Sequence, residues 1–356
     1  DRLDILRAQH NLPDFNWVVA ALIAAGVIAG LVFYVYWPER RRRATQMERG
    51  ETISSYKFLS PWIAGMLVFT LGPMILALLM SFSDWDMIRT AKWRGVDNFT
   101  EAFTADPSFW KSLSLTAIYT FFSVGMSICG ALGLALLLNQ KIKGVALFRT
   151  LYYIPSITSG VAAALIWMRV FNPEKGLLNY ILYGPKGDWG LGTALSTSIM
   201  GEATKRVDWL QTEKTALIAL IIMSAWGIGG GTVIFLAGLQ GIPQHYYEAA
   251  TLDGAGNMAK FRTVTLPLLS PTIFFSSITG IIGAFQAFTQ AFVMTQGGPN
   301  DATRFFVYHI FGNAFQSARM GYASALGWVL FVIIMFFTLV QMKLSKRFVY
   351  YEAEAK

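Results

Sequence analysis

The chain alternates between long apolar runs and shorter polar segments. A helix needs about 20 apolar residues to cross the roughly 30 Å hydrocarbon core of a bilayer. By that criterion the pattern predicts seven membrane-spanning segments, at 17–37, 58–82, 114–138, 150–171, 215–238, 269–293 and 322–342. The sequence therefore predicts an all-α integral membrane protein.

The first apolar run, 17–37, resembles a secretory signal only superficially. It is too long, it lacks a small-residue cleavage site, and it is followed rather than preceded by basic residues, the four arginines at 40–43. We expect it to be a retained anchor helix. Residues 1–57 would then form this anchor and a basic cytoplasmic linker.

The distribution of charge predicts the orientation in the membrane. The arginines at 40–43 are expected to stay in the cytoplasm, which places the N-terminus outside and the tail 348–356 in the cytoplasm. The loops assigned to the inner face are also denser in Lys and Arg than those assigned to the outer face. The net charge of +8 therefore reflects topology and gives little support to nucleic-acid binding.

The composition limits the kinds of chemical site that the protein can contain. Hydrophobic residues make up 54% of the chain and charged residues 14%, as expected for a protein embedded in a lipid bilayer. One cysteine, Cys129, excludes a disulfide framework, and the scattered His10, His245 and His309 predict no metal site. The sequence has no GxxxxGK[ST] phosphate loop and no arrangement suited to nucleophilic catalysis. We expect a subunit that is not an enzyme on its own.

The outer segment 172–214 is the longest predicted external connection. It contains the turn signals Asn172-Pro173 and Gly184-Pro185-Lys186-Gly187-Asp188. Long ordered loops are often functional, so docking of a soluble partner is one interpretation, and a passive connection is the other.

The inner loop 239–268 carries the most informative pattern. Pro243 suits the start of a short helix, and Gly254 can adopt the left-handed conformation that ends one. A second short helix would lead to Pro267 at the start of the next span. The loop is therefore predicted to form a compact element beneath the membrane that fits a groove on a cytoplasmic partner.

The same loop carries a spaced motif. It reads Glu248-Ala249-Ala250, three residues, Gly254, nine residues, then Val264-Thr265-Leu266-Pro267. This resembles the cytoplasmic signature of the permease subunits of binding-protein-dependent ABC importers, in particular the carbohydrate branch typified by the maltose permeases. Only Val264, in place of isoleucine, departs from it. Thr295-Gln-Gly297-Gly298-Pro299 also resembles the sugar-transport branch.

The resemblance covers residues 58–347 and implies a six-helix type I ABC importer permease core, with 17–37 as an extra N-terminal transmembrane helix. It implies a bacterial inner-membrane complex with a second homologous permease, two ATPase subunits that hold ATP and Mg, and an external solute-binding protein. No cofactor is expected in this subunit. The residues expected to couple to the ATPase are Tyr247, Glu248, Ala249, Ala250, Asp253, Gly254 and Pro267. An ordinary amphipathic interfacial loop is the alternative.

Span 269–293 carries a polar stripe at helical spacing, formed by Ser276, Thr279, Gly283, Gln286 and Gln290. Polar side chains in hydrocarbon are costly, so the stripe should face protein or water. With Phe285, Phe288 and Phe292 beside it, it is chemically suited to a carbohydrate. Hydrogen bonding between helices would use the same residues and is an equal alternative.

Span 215–238 contains three successive glycines at 229–231, which favour a helix break or a close helix crossing. The resemblance places Ser224 and Trp226 near sugar-contacting positions of the family. Trp226 is either a sugar platform or a packing residue. The predicted substrate-binding residues are Ser224, Trp226, Gly283, Phe285, Gln286 and Gln290.

The function predicted from these features is ATP-driven import of a sugar, in particular a neutral di- or oligosaccharide. Three alternatives remain open: an ion-driven carrier or channel without an ATPase, an ABC importer for a glycerol phosphate or another polyol derivative, and a membrane scaffold without transport activity.

Overall fold

The computed structural model describes residues 12–40, 46–140, 143–184, 192 and 206–350. Arginines 41–43, the turn at 185–188 and the tail after residue 350 lie outside the described residues. The chain divides into two compact units, Asp1–Asp106 with Ile310–Leu330, and Pro107–His309 with Phe331–Lys356. Each is described separately.

The spanning helices follow the apolar runs. Four helices are long and apolar enough to cross a membrane, Ser54–Met80, Pro107–Leu138, Glu213–Gln240 and Met320–Phe348. Two bent pairs are Val145–Ile157 with Gly160–Val170 and Asn257–Leu268 with Ser270–Phe285, and counting each pair as one span gives up to six spans within the described residues. The predicted six-helix core is confirmed. The predicted N-terminal span falls in the helix Trp17–Arg40, whose apolar stretch is Trp17–Gly30.

The first unit contains helices α1 (Trp17–Arg40), α2 (Gln46–Met66), α3 (Gly72–Met80) and α4 (Asp97–Thr104), and a two-stranded antiparallel ribbon of β1 (Ser83–Asp84) and β2 (Lys92–Trp93). Helix α1 packs on α3. The residues just before α1 join the ribbon, because the Phe15 amide donates to the Ala91 carbonyl at 2.7 Å and the Trp93 amide donates to the Pro13 carbonyl at 2.8 Å. The start of α1 is thus attached to the loop after α3.

The second unit is built around the long helix α5 (Pro107–Leu138). The helices that follow are α6 (Val145–Ile157), α7 (Gly160–Val170), α8 (Leu177–Tyr183), α9 (Glu213–Ser224), α10 (Ile228–Gln240), α11 (Gln244–Leu252), α12 (Asn257–Lys260), α13 (Leu266–Leu268) and α14 (Ser270–Phe285). Helices α9, α10 and α14 pack against α5, and α10 also packs against α6. The last two helices, α15 (Phe306–Phe311) and α16 (Met320–Phe348), each contain residues of both units.

Span 150–171, predicted as one segment, is broken in the structure. Helices α6 and α7 meet at an angle of 102°. Pro155 lies inside the last turn of α6 and has no backbone N–H to continue the helix, and the Ser159 hydroxyl accepts a hydrogen bond from the Ala162 amide to begin α7. The hydropathy of the run gave no sign of this bend.

Span 269–293 is also not one helix. The chain bends by 62° at Leu269, where Pro271 begins α14. Helix α14 ends at Phe285, and helical structure resumes at Thr289, which leads into the π turn Ala291–Thr295. Gln286 of the predicted polar stripe therefore lies on an irregular segment, 286–288, where backbone groups need protein or water around them, and Gln290 lies in the helical turn that follows.

The glycines at 229–231 make a close helix crossing, one of the two predicted outcomes. A Cβ atom built on Gly229 would lie 1.8 Å from the Tyr152 carbonyl oxygen, so the backbones of α10 and α6 touch there. The break in this span occurs earlier, in the 3-10 turn Ala225–Gly227.

Four π-helical turns occur among the described residues, at Leu67–Leu71, Phe261–Thr265, Ala291–Thr295 and Gly312–Gln316. A π turn closes its hydrogen bonds over five residues instead of four and is frequent at functional sites. Two of the four flank helix α14 and the irregular segment after it.

Candidate functional site

A cavity of about 580 Å³, with both polar and apolar groups on its wall, opens among α5, α10, α14 and residues 286–290. This volume falls within the range of small-ligand pockets, about 300–1,000 Å³. The structure places all five residues of the predicted stripe on its wall: Ser276, Thr279, Gly283, Gln286 and Gln290. Ser224, from the end of α9, also lines it.

The wall presents hydroxyl and amide groups, some of them already hydrogen-bonded. The Gln290 amide nitrogen donates to the Tyr119 hydroxyl at 3.0 Å, and the Ser224 hydroxyl donates to the Ile221 carbonyl at 2.6 Å. The Ser276 hydroxyl is buried and has no hydrogen-bond partner among the described residues. A buried hydroxyl without a partner is costly, so Ser276 is the group on this wall most in need of a ligand or water.

The described residues on the cavity wall are uncharged. No Asp, Glu, Lys or Arg is among the described residues that line it. Nor do the described parts of the chain contain a cluster of three or more His, Cys, Asp or Glu side chains that could hold a metal ion. The cavity can therefore offer hydrogen bonds and apolar contact, and it has no counter-charge for an anion.

Two predicted substrate residues lie off the wall. Phe285 is buried and stacks on Phe337, with ring centroids 5.5 Å apart. Trp226 packs edge-on against Trp167, with ring centroids 5.9 Å apart and an interplanar angle of 86°. Its indole nitrogen is buried and has no hydrogen-bond partner among the described residues.

Helix α5 contributes residues that the sequence reasoning missed. Tyr119, Ser123 and Ser127 line the cavity opposite the stripe. They are spaced four residues apart on one face of the helix, a polar pattern inside an apolar run. This spacing was the signal that could have identified them.

The loop 239–268 contains a short helix with a defined end. Helix α11 (Gln244–Leu252) follows Pro243 and stops before Gly254, whose φ of +78° is left-handed. The Gly254 amide donates to the Thr251 carbonyl at 3.0 Å, and the Ala255 amide donates to the Ala250 carbonyl at 2.9 Å. This is the Schellman arrangement, and it confirms the predicted helix end at Gly254.

Helix α11 has an outer and an inner face. Glu248, Ala249 and Asp253 are exposed, and Leu252 is 90% exposed. Tyr247 turns inward, and its hydroxyl lies 3.1 Å from the Thr265 hydroxyl.

The remaining members of the predicted coupling set, Ala250 and Pro267, are half-buried, and Pro267 sits in α13 just before the bend at Leu269. The loop thus brings the set into one element that joins α10 to α14.

The described ends of segment 172–214 are held together by Asn179. Its amide nitrogen donates to the Pro173 carbonyl at 3.0 Å and to the Val207 carbonyl at 2.8 Å. Its amide oxygen accepts from the Trp209 indole nitrogen at 2.9 Å, and Asn179 and Trp209 are both buried. The ends of the segment are therefore ordered against each other.

Comparison with known proteins identifies a matching family and several similar proteins. Residues 12–351 match the family described as "Binding-protein-dependent transport system inner membrane component". The chain is 39% identical to the probable ABC transporter permease protein YesP of Bacillus subtilis, over 86% of this chain and 94% of the relative. It is 34% identical to the multiple sugar-binding transport system permease protein MsmF of Streptococcus mutans, over 79% and 91%.

Among solved structures, the fold resembles that of a bacterial ABC transporter involved in the import of the acidic polysaccharide alginate. The TM-score is 0.68 with 22% sequence identity, and the match covers 85% of this chain and 98% of that chain.

Proposed function

Because the chain belongs to the family of inner membrane components of binding-protein-dependent transport systems, we propose that it forms the translocation pathway for a neutral sugar in an ABC importer. As a permease subunit of this family it is a non-catalytic, multi-pass inner-membrane protein, and ATP hydrolysis resides in a separate subunit. The observation that carries the substrate proposal is the cavity between α5, α10 and α14, whose described lining residues offer hydroxyl and amide groups and carry no charge.

The choice of a sugar rests on the match between cavity and ligand chemistry. Hydroxyl-rich ligands need groups that both donate and accept hydrogen bonds, and the wall supplies serines, two threonines and two glutamines. The relative MsmF is named as a multiple sugar-binding transport system permease. A phosphorylated or carboxylated substrate would be desolvated here without a compensating positive charge, which favours a neutral di- or oligosaccharide.

Within the cavity, we propose that Ser276, Gln286 and Gln290 contact the substrate directly, with Ser224 at the edge and Gly283 leaving room for a sugar ring. No atom lies within 4 Å of the position a Cβ would take on Gly283. Trp226 and Phe285 would support the wall from behind.

The proposed assembly contains a second permease, two ATPase subunits that bind ATP and Mg, and an external solute-binding protein. Helix α11, with exposed Glu248, Ala249 and Leu252, would dock into the ATPase. Segment 172–214 would receive the binding protein, with the N-terminus outside and the C-terminus in the cytoplasm.

Isolation of the tagged full-length chain from its native host in mild detergent tests the assembly. We expect mass spectrometry to identify an ATPase with phosphate-loop motifs, a second permease and a solute-binding protein. Recovery of the chain alone, even after crosslinking through residues 239–268, would contradict the importer proposal.

Replacement of Ser276 by alanine tests the cavity. The change removes a hydroxyl that bonds to no described residue, so the fold should be retained while one hydrogen bond to substrate is lost. A net hydrogen bond is worth about 0.5–1.5 kcal/mol, or about a 2- to 12-fold rise in the KM for sugar uptake by proteoliposomes holding the complex.

Ser277→Ala is the matched control, because the Ser277 hydroxyl bonds to the Phe274 carbonyl and the Gln341 amide, and Ser277 is not on the cavity wall. Equal KM values for Ser276→Ala and the unmodified complex would exclude Ser276 from the site. Faster uptake of anionic than of neutral sugars would overturn the substrate class.

A further inference from the structure

A side-chain hydrogen bond connects helix α11, the helix proposed to dock into the ATPase, to the π turn Phe261–Thr265 that precedes α14. The hydroxyls of Tyr247 in α11 and Thr265 in the following π turn lie 3.1 Å apart, although the residues are 18 positions apart in the chain. We propose that this bond positions α11 and transmits its displacement to α14. The inference rests on the importer function proposed above, and it adds Thr265 as a positioning residue.

The surroundings of the bond make it structurally significant. Thr265 is only 5% exposed, and Tyr247 is half-buried, whereas the neighbouring Glu248 and Ala249 are exposed. A buried hydroxyl that loses its partner remains desolvated, so the pair is favoured over either hydroxyl alone. A hydrogen bond is also directional, so Thr265 is expected to move with α11 when α11 shifts.

Thr265 is well placed to pass such a shift onward. Its carbonyl accepts a hydrogen bond from the Leu269 amide at 2.9 Å, and Leu269 is the point where the chain bends by 62°. The Leu269 side chain is 1% exposed and packs with Phe235 and Leu239 of α10. The buried Leu269, at the bend, thus lies one helical turn from the Tyr247–Thr265 hydrogen bond.

Helix α14 follows the bend at Leu269, and its residues Ser276, Thr279 and Gly283 line the cavity. Movement of α11 therefore has a continuous route of bonded and packed groups to the cavity wall. At the α11 end of this route is the Tyr247–Thr265 hydroxyl pair. Removal of one of the two hydroxyl oxygens would interrupt the connection between α11 and α14 without changing the shape of either helix.

The test uses the full complex in proteoliposomes with its ATPase and binding protein, and measures sugar taken up per ATP hydrolysed. Tyr247→Phe and Thr265→Val each remove one hydroxyl and preserve side-chain shape. Loss of one net hydrogen bond predicts a fall in this ratio of about 2- to 12-fold. Thr265→Ser keeps the hydroxyl and should restore the ratio. The double variant should be no worse than either single variant, because both remove the same interaction.

Thr263→Val is the matched control from the same π turn, because the exposed Thr263 hydroxyl bonds only within its own segment, to the Ala259 carbonyl at 2.9 Å. It should leave the ratio unchanged. A ratio equal to that of the unmodified complex in Tyr247→Phe and Thr265→Val would overturn the inference, as would losses that multiply in the double variant. So would reduced complex yield with an unchanged ratio, since the bond would then serve only to fold the loop.

Failure of the inference can be distinguished from failure of the proposed function. If the unmodified complex shows no ATP-dependent uptake, the importer assignment fails. If it imports sugar and the hydroxyl variants remain fully coupled, the importer assignment stands and only the role of this bond is wrong.

Discussion

Replacement of Gly229 by alanine should separate two helices that now touch. A Cβ atom at this position would lie 1.8 Å from the Tyr152 carbonyl oxygen and 2.7 Å from its carbonyl carbon. These are backbone atoms of α6, so no rotation of a side chain relieves the clash. An unstrained carbon–oxygen contact is about 3.3 Å, so α10 would have to move away from α6 by about 1.5 Å.

The expected loss of stability in Gly229→Ala follows from the free-energy cost of overpacking. Forcing extra atoms into a well-packed contact costs about 1–3 kcal/mol, and sometimes more. For a chain segment of 150–250 residues, each kcal/mol lowers the Tm by about 2–4 °C. We therefore expect Gly229→Ala to lower the Tm of the purified complex in detergent by about 2–12 °C. Sugar uptake should fall as well, because α10 lines the cavity.

Gly227→Ala is the control for the general effect of replacing glycine in this span. Gly227 has an ordinary φ of −84°, and a Cβ there would meet no atom within 4 Å. Alanine at such a position is neutral or slightly stabilising. If thermal unfolding followed by intrinsic fluorescence gives Gly229→Ala and Gly227→Ala the same Tm, the proposed contact between α6 and α10 is refuted.

Two further predictions concern the loops. Gly254→Ala should weaken co-purification of the ATPase, because φ at Gly254 is +78° and a side chain there is strained by about 1–2 kcal/mol. Gly256→Ala is the control, because φ at Gly256 is −72°, and it should not weaken co-purification. Equal recovery of the ATPase with both variants would contradict this prediction. Asn179→Ala should leave the Trp209 indole buried without its acceptor, at a cost of about 1–3 kcal/mol, and accelerate amide hydrogen exchange at residues 206–212. Unchanged exchange there would show that Asn179 does not hold the segment together.

The positions of the six core spans could be predicted because hydrophobic length is a local property of the sequence. All six core spans occur where the apolar runs are. The bends at Ser159 and Leu269 could not be predicted in this way, since a proline in a membrane helix is compatible with a mild kink as well as with a turn of 102°. Which of these occurs depends on the neighbouring helices, and hydropathy carries no information about them.

The candidate site was partly predictable for a similar reason. The stripe from Ser276 to Gln290 repeats at helical spacing, so its common direction follows from the sequence even though the helix ends at Phe285. The positions of Phe285 and Trp226 depend on which side chain each meets, Phe337 and Trp167. Both contacts join residues far apart in the chain, so neither could be read from the local pattern.

The π turns at Phe261–Thr265 and Ala291–Thr295 lie on either side of α14, so the number of residues between α11 and the end of this span at Thr295 is a structural constraint. One residue in an α-helix corresponds to a rotation of about 100° and a rise of about 1.5 Å. Deletion of one residue from either turn would restore α-helical hydrogen bonding and improve local regularity, yet it would rotate one end of the span relative to the other. Single-residue insertions and deletions between 261 and 295 should therefore be rejected by selection more strongly than substitutions there, even where the turn itself would become more stable.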